Sequence, residues 1–144
     1  MMEKKEIHVE ISGRDELNLS LGLEHGLIST ARLWGTGCLE LLKRMEEWRP
    51  LLKGSLFSVP LPTGHDHASL LLKRLILSAQ ELWEPPYADD ELCHCRTVLA
   101  ETVREAIIAG AHTPAEVSRK TMASTSCGSC LPDVEAELKY ILGN

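Results

Sequence analysis

The first third of the chain alternates between apolar and polar positions. Ile7, Val9 and Ile11 are separated by His8 and Glu10, and Leu17, Leu19, Leu21 and Leu23 by Asn18, Ser20 and Gly22. Alternation with a period of two puts every second side chain on one face of a pleated strand, so each run predicts a half-buried strand. Ser12-Gly13-Arg14-Asp15 supplies turn chemistry between them, and Glu24-His25-Gly26 a second tight turn into residues 27–34. The prediction is a three-stranded antiparallel meander. After Gly35-Thr36-Gly37 the period lengthens. Cys38, Leu41, Leu42, Met45 and Trp48 fall on one helical face, with Lys43, Arg44, Glu46 and Glu47 elsewhere, and Pro50 closes that helix. A loop with Gly54, Pro60, Pro62 and Gly64 leads to His65-Asp66-His67, and an apolar-rich helix is expected over residues 68–83. Strands followed by helices on one face make an α+β pattern.

Glu84-Pro85-Pro86-Tyr87-Ala88-Asp89-Asp90 stops that helix and extends the backbone. The expected organisation is a first domain over residues 1–84, a linker over 85–91, and a small all-helical domain over 92–144. In the latter, Leu99, Val103, Ala106 and Ile107 form one stripe ending at Gly110. Thr113-Pro114-Ala115-Glu116 reads as a capping box with Pro at the first helical position. Leu131, Val134, Leu138 and Ile141 predict a last helix. A piece this short is near the lower limit for an independent core, and a metal centre would supply the missing stabilisation.

Composition narrows the function. With 44% apolar residues in 144, but Phe57 as the single Phe, the core must be built from Leu, Ile and Val. A net charge of −6 argues against a nucleic-acid partner. No apolar run approaches the ~20 residues needed to span a bilayer. The start, Met-Met-Glu-Lys-Lys-Glu, lacks the apolar stretch of a secretory signal, so a soluble, cytoplasmic protein is expected. There is no nucleophile–base pair, phosphate loop or flavin fingerprint, and an enzyme is not expected.

The chemistry lies in the cysteines. Four of the five stand in two tight pairs, Cys93-His94-Cys95 and Cys127-Gly128-Ser129-Cys130, and the fifth is Cys38. In a reducing compartment such spacing points to metal or redox chemistry rather than a disulfide framework. Two close thiolate pairs make a four-sulfur cage suited to an iron–sulfur cluster or a zinc ion. Gly128 lets the backbone turn, and Ser124, Thr125, Ser126 and Ser129 offer hydroxyl donors to sulfur. Arg96 and Arg119 are candidates to offset the charge of a filled cage, whereas Lys120 fits a solvated face better.

Leu92-Cys93-His94-Cys95-Arg96, Val103-Arg104-Glu105-Ala106-Ile107, Thr113-Pro114-Ala115-Glu116-Val117 and Thr125-Ser126-Cys127-Gly128-Ser129-Cys130 resemble the bacterioferritin-associated-ferredoxin-like domain, also the central module of NifU. The resemblance covers residues 91 to about 142. It implies one [2Fe-2S] cluster on a small helical fold, ligated by Cys93, Cys95, Cys127 and Cys130. Four-cysteine zinc is the alternative that spacing leaves open.

In NifU that module follows an IscU-type scaffold, and residues 7–83 resemble a diverged copy of it. His25-Gly26-Leu27-Ile28-Ser29-Thr30-Ala31-Arg32 with Gly35-Thr36-Gly37-Cys38 is similar to the scaffold's second and third strands and second cysteine. His67-Ala68-Ser69 is similar to its His-Cys-Ser segment, with Ala68 where the third cysteine stands. The first cysteine falls around Ser12-Gly13-Arg14, where there is no thiol. Cys38 and His67 remain as ligands for a second metal site. Two competing readings apply to them: a small buried residue for Cys38, and a helix cap for His65-Asp66-His67. The expected function is a [2Fe-2S] protein of the NifU-like assembly type. The alternatives are a ferredoxin-like electron carrier and a zinc-stapled interaction module. Expected partners are assembly or redox proteins, with homodimerisation left open and no membrane or nucleic acid.

Overall fold

Three long strands, β1 (Met2–Ile11), β2 (Asp15–Glu24) and β3 (Leu27–Thr36), form an antiparallel sheet with β2 in the middle. Leu17, Leu19, Leu21 and Leu23 of β2 are all buried, joined by Val9 and Ile11 from β1 and Leu33 from β3. His8, Glu10 and Trp34 lie on the open face. The β2–β3 turn has two left-handed residues, His25 (φ 53) and Gly26 (φ 78). Positive φ at both central positions matches the twist of a tight hairpin. A fourth strand, β4 (Gly54–Ser55), pairs with Leu27 and Ile28, so the sheet is four-stranded rather than three-stranded. These coordinates are a computed structural model, which describes residues 2–87, 90–93, 98–123 and 131–143. By contacts the chain divides into two compact units, Met1–Trp83 and Glu84–Asn144.

Two helices, α1 (Leu39–Trp48) and α2 (His67–Ala79), pack on the leucine face of the sheet. Leu41 and Met45 carry the buried stripe of α1, but Leu42, expected on it, is 42% exposed. In α2, Ala68, Leu71, Leu72, Leu75, Ile76 and Ala79 are buried. The helix ends at Ala79, short of the expected 83. Glu81 turns left-handed (φ 60), and Lys5 Nζ reaches from β1 to donate to the Ala79 carbonyl (2.9 Å). The lone Phe57 is 65% exposed, and the core is aliphatic.

The second unit holds β5 (Glu91–Cys93), β6 (Val98–Leu99), α3 (Ala100–Ala109), α4 (Pro114–Thr121) and α5 (Leu131–Leu142). It is therefore not all-helical, because β5 and β6 pair antiparallel, with Cys93 opposite Val98. Thr113 caps α4, its Oγ1 accepting from the Glu116 N–H at 3.2 Å. Val103, Ile107, Ile108, Val117, Val134 and Ile141 form the core. Described residues of the expected linker over 85–91 hydrogen-bond within this unit: Arg104 Nη2 donates to Tyr87 O at 2.6 Å, and Ala100 N donates to Asp90 O at 2.6 Å.

Candidate metal centres

Three side chains of the first unit converge from three element ends. Asp15 opens β2, Cys38 is the N-cap of α1, and His67 opens α2. Cys38 Sγ lies 2.8 Å from His67 Nε2, Asp15 Oδ2 lies 3.1 Å from the same nitrogen, and Sγ and Oδ2 are 3.8 Å apart. One imidazole nitrogen carries at most one proton, yet it faces both a sulfur and a carboxylate. The alternative to proton sharing is a cation at their common focus. Tetrahedral metal sites with N, O and S donors set ligand atoms about 3.3–3.8 Å apart. Two of the three contacts lie near that range, and the Cys38–His67 contact is drawn in below it.

The surroundings fix the donors. Asp15 is only 3% exposed, so its carboxylate has little freedom to turn to solvent. Gly37 lies against it: a Cβ there would come 2.8 Å from Asp15 Cγ, inside any allowed contact. His67 is aimed by the start of α2, where Asp66 is the N-cap and accepts from Ser69 N at 3.2 Å. Burial works against the charge of Asp66. The Ser69 hydroxyl and N–H bonds and the nearby Arg44 guanidinium outweigh it, holding the carboxyl below its ordinary value. Arg44 in turn donates from Nε to Ser69 Oγ at 3.0 Å.

The two readings of the polar trio therefore divide by residue. Asp66 caps the helix, His67 joins Cys38, and His65 is exposed outside the cluster. Cys38 is half-buried and turned toward Asp15 and His67 rather than into the apolar stripe. Asp15 was hidden inside what reads as turn chemistry. Its signal is parity, since Asp15, Leu17 and Leu19 share one face of β2 and that face is the core. A carboxylate in register with buried leucines needs a partner.

The paired cysteines belong to the second unit. Cys93 is the last residue of β5. Cys95, Cys127 and Cys130 lie outside the described residues, as do Arg96, Ser124, Thr125, Ser126, Gly128 and Ser129. Leu131, next after Cys130, begins α5. Arg119 and Lys120 are exposed in the last turn of α4. The donor set, four thiols in two close pairs, fits a [2Fe-2S] group, which takes two thiolates on each iron. No helix among the described residues is long and apolar enough to cross a membrane.

Comparison with known proteins bears on this second unit. No curated protein and no solved structure matches the chain. The family model of the BFD-like [2Fe-2S] binding domain matches residues 92–139, a stretch that contains all four paired cysteines and leaves out the first unit. The cofactor of this protein is a [2Fe-2S] cluster, bound by its C-terminal region.

Proposed function

We propose that Cys93, Cys95, Cys127 and Cys130 hold the cluster and that the protein passes an electron, or the cluster itself, to partner proteins in a reducing, cytoplasmic setting. The two thiol pairs inside the matched domain carry this reading. The cluster supplies one-electron chemistry between its oxidised and reduced forms. The chain's part is to hold the thiolates, limit water and present the region to a partner, with no catalysis of its own. With the cofactor a [2Fe-2S] cluster, the zinc-staple alternative is set aside.

A single observation favours the assembly-type version over a simple electron carrier. In the first unit Asp15, Cys38 and His67 lie close enough to serve as donors to one divalent ion, a feature that electron carriage does not need. Soft thiolate, borderline imidazole and hard carboxylate suit zinc or ferrous iron rather than calcium or magnesium. The resemblance of this unit to a scaffold that has lost two thiols agrees with a site able to hold a metal ion but not a cluster.

The test is anaerobic purification with iron and sulfide analysis, followed by mixing with a cluster-free [2Fe-2S] acceptor protein. A red-brown protein that bleaches on reduction is expected, its iron lost on replacing any of the four cysteines by serine. Cluster appearing in the acceptor supports assembly, while reversible reduction without transfer supports electron carriage. A colourless protein that takes no cluster on reconstitution would overturn both.

A further inference from the structure

The second unit spends a buried charge pair where an apolar contact would serve stability equally well. Glu137 of α5 is fully buried, and the Arg104 side chain of α3 is 12% exposed. Arg104 Nη2 donates to Glu137 Oε1 at 2.9 Å, and Nε reaches Oε2 at 3.3 Å. The same Nη2 donates to the Tyr87 carbonyl at 2.6 Å, and Tyr87 N donates to Glu137 Oε1 at 3.3 Å. Tyr87 continues the connection, its hydroxyl donating to the Glu91 carbonyl at 2.7 Å, two residues before Cys93.

Charges removed from water are no bargain for stability, and apolar replacements are often neutral or better. What a guanidinium fork gives is fixed direction, because its donors are planar and rigid. Here the fork joins three pieces of chain: the segment entering β5, helix α3 after the first cysteine pair, and helix α5 after the second. These flank the two ligand pairs in sequence.

We propose that Arg104, Glu137 and the Tyr87 backbone form a positioning clamp, which fixes the segment entering β5, helix α3 and helix α5 relative to one another both before and after the cluster enters, and so slows its loss. The clamp rests on ligation by the four paired cysteines. The pair is neutral as a whole and adds little net field, so it governs retention of the cluster more than its reduction potential.

The experiment uses the full chain, after iron and sulfide analysis has shown that the wild type carries its [2Fe-2S] cluster, a step whose failure would sink the ligation reading rather than the clamp. Arg104→Met/Glu137→Leu removes both charges together, and Arg104→Lys keeps the charge but loses the fork. Three readouts are taken: cluster loss to an iron chelator, the reduction potential, and amide exchange over residues 84–93 in cluster-free protein. Expected for both variants is cluster loss roughly 10- to 100-fold faster, as for partners that orient metal ligands elsewhere. Exchange over 84–93 should be faster too, with helical circular dichroism retained and the potential little changed. Should the double variant not fold, the loss rate of Arg104→Lys decides. Wild-type retention in a folded variant, or lowered thermal stability without faster cluster loss, would show that the pair is structural only and overturn the clamp.

Discussion

The two units that carry the candidate metal ligands are built on different kinds of core. In the first, each donor stands at the end of a regular element whose burial is already secured: Leu17 and Leu19 anchor the strand behind Asp15, Leu41 the helix behind Cys38, and Leu71 the helix behind His67. In the second, the core of the described residues is smaller, and a buried ion pair joins α3 to α5 beside the apolar contacts of Val103, Ile107, Val134 and Ile141. The first unit should stand without any ion at that site. The second should depend on its cluster for part of its order. A metal added to a complete core is a ligand, whereas a metal added to a marginal one is a structural member.

The most severe way to break this contrast is to remove a cluster ligand. Cys127→Ala should abolish the cluster and lower, without abolishing, amide protection in residues beyond Asp90. The loss should stay below the about 3–5 kcal/mol that so small a core supplies, because the Arg104–Glu137 pair still joins α3 to α5. Protection in β1, β2 and β3 should stay, and equal loss in both units would show one cooperative structure. The converse is Leu71→Ala, at a fully buried position. It should cost the first unit about 2–5 kcal/mol in denaturant unfolding, with visible absorption of the cluster unchanged. Cluster loss in step with that unfolding would erase the distinction.

Smaller changes sharpen it. Cys38→Ser should weaken zinc binding at the first unit by at least about tenfold in a chelator competition, with iron and sulfide content unchanged. A substantial fall in cluster content would instead make Cys38 part of cluster loading. The smallest effect is at His8, on the open face of the sheet. The Asn18 hydrogen bond raises its pKa above 6.5 against the opposing effect of burial, with Glu10 and Glu16 adding to the rise. A raised folded pKa means that its stabilising contribution is full below 6.5 and fades as pH rises through the folded value. NMR titration of the ring should show a midpoint above 6.5 that returns toward it in Asn18→Ala. No upward shift in the wild type would remove the pH dependence.

Much of this was readable from alternation and helical period, because both report burial directly. Strands β1 and β2 and helix α1 announce themselves that way, and β3 through the tight turn that precedes it. Strand β4 does not, since Gly54-Ser55 is too short for any period and pairs only because β3 offers an edge. The pairing of β5 with β6 is hidden for the same reason. The apolar pattern over-extends helix α2 because Leu82 continues it, whereas the helix ends in a left-handed turn at Glu81 from which Leu82 N donates back to Leu77 O at 2.8 Å. In the first unit's site, Cys38 and His67 were visible as chemistry, and Asp15 was not, since a turn accounts for an aspartate without further cause. The role of Glu137 is equally silent: a charged residue on a helix reads as solvated until its surroundings are known.

The spacing of Asp15, Cys38 and His67 also bears on how the first unit assembles. Cys38 is 23 residues from Asp15, and His67 is 29 residues from Cys38. Asp15 and Cys38 flank the open end of the β2–β3 hairpin, in which Glu16 pairs with Thr36, so one local fragment brings two donors near each other. His67 joins them only when α2 packs on the sheet, and closing that second loop comes later. An ion bound at this focus after the folding transition state would slow unfolding more than it changes the rate of folding. Its release would then mark the loss of native topology.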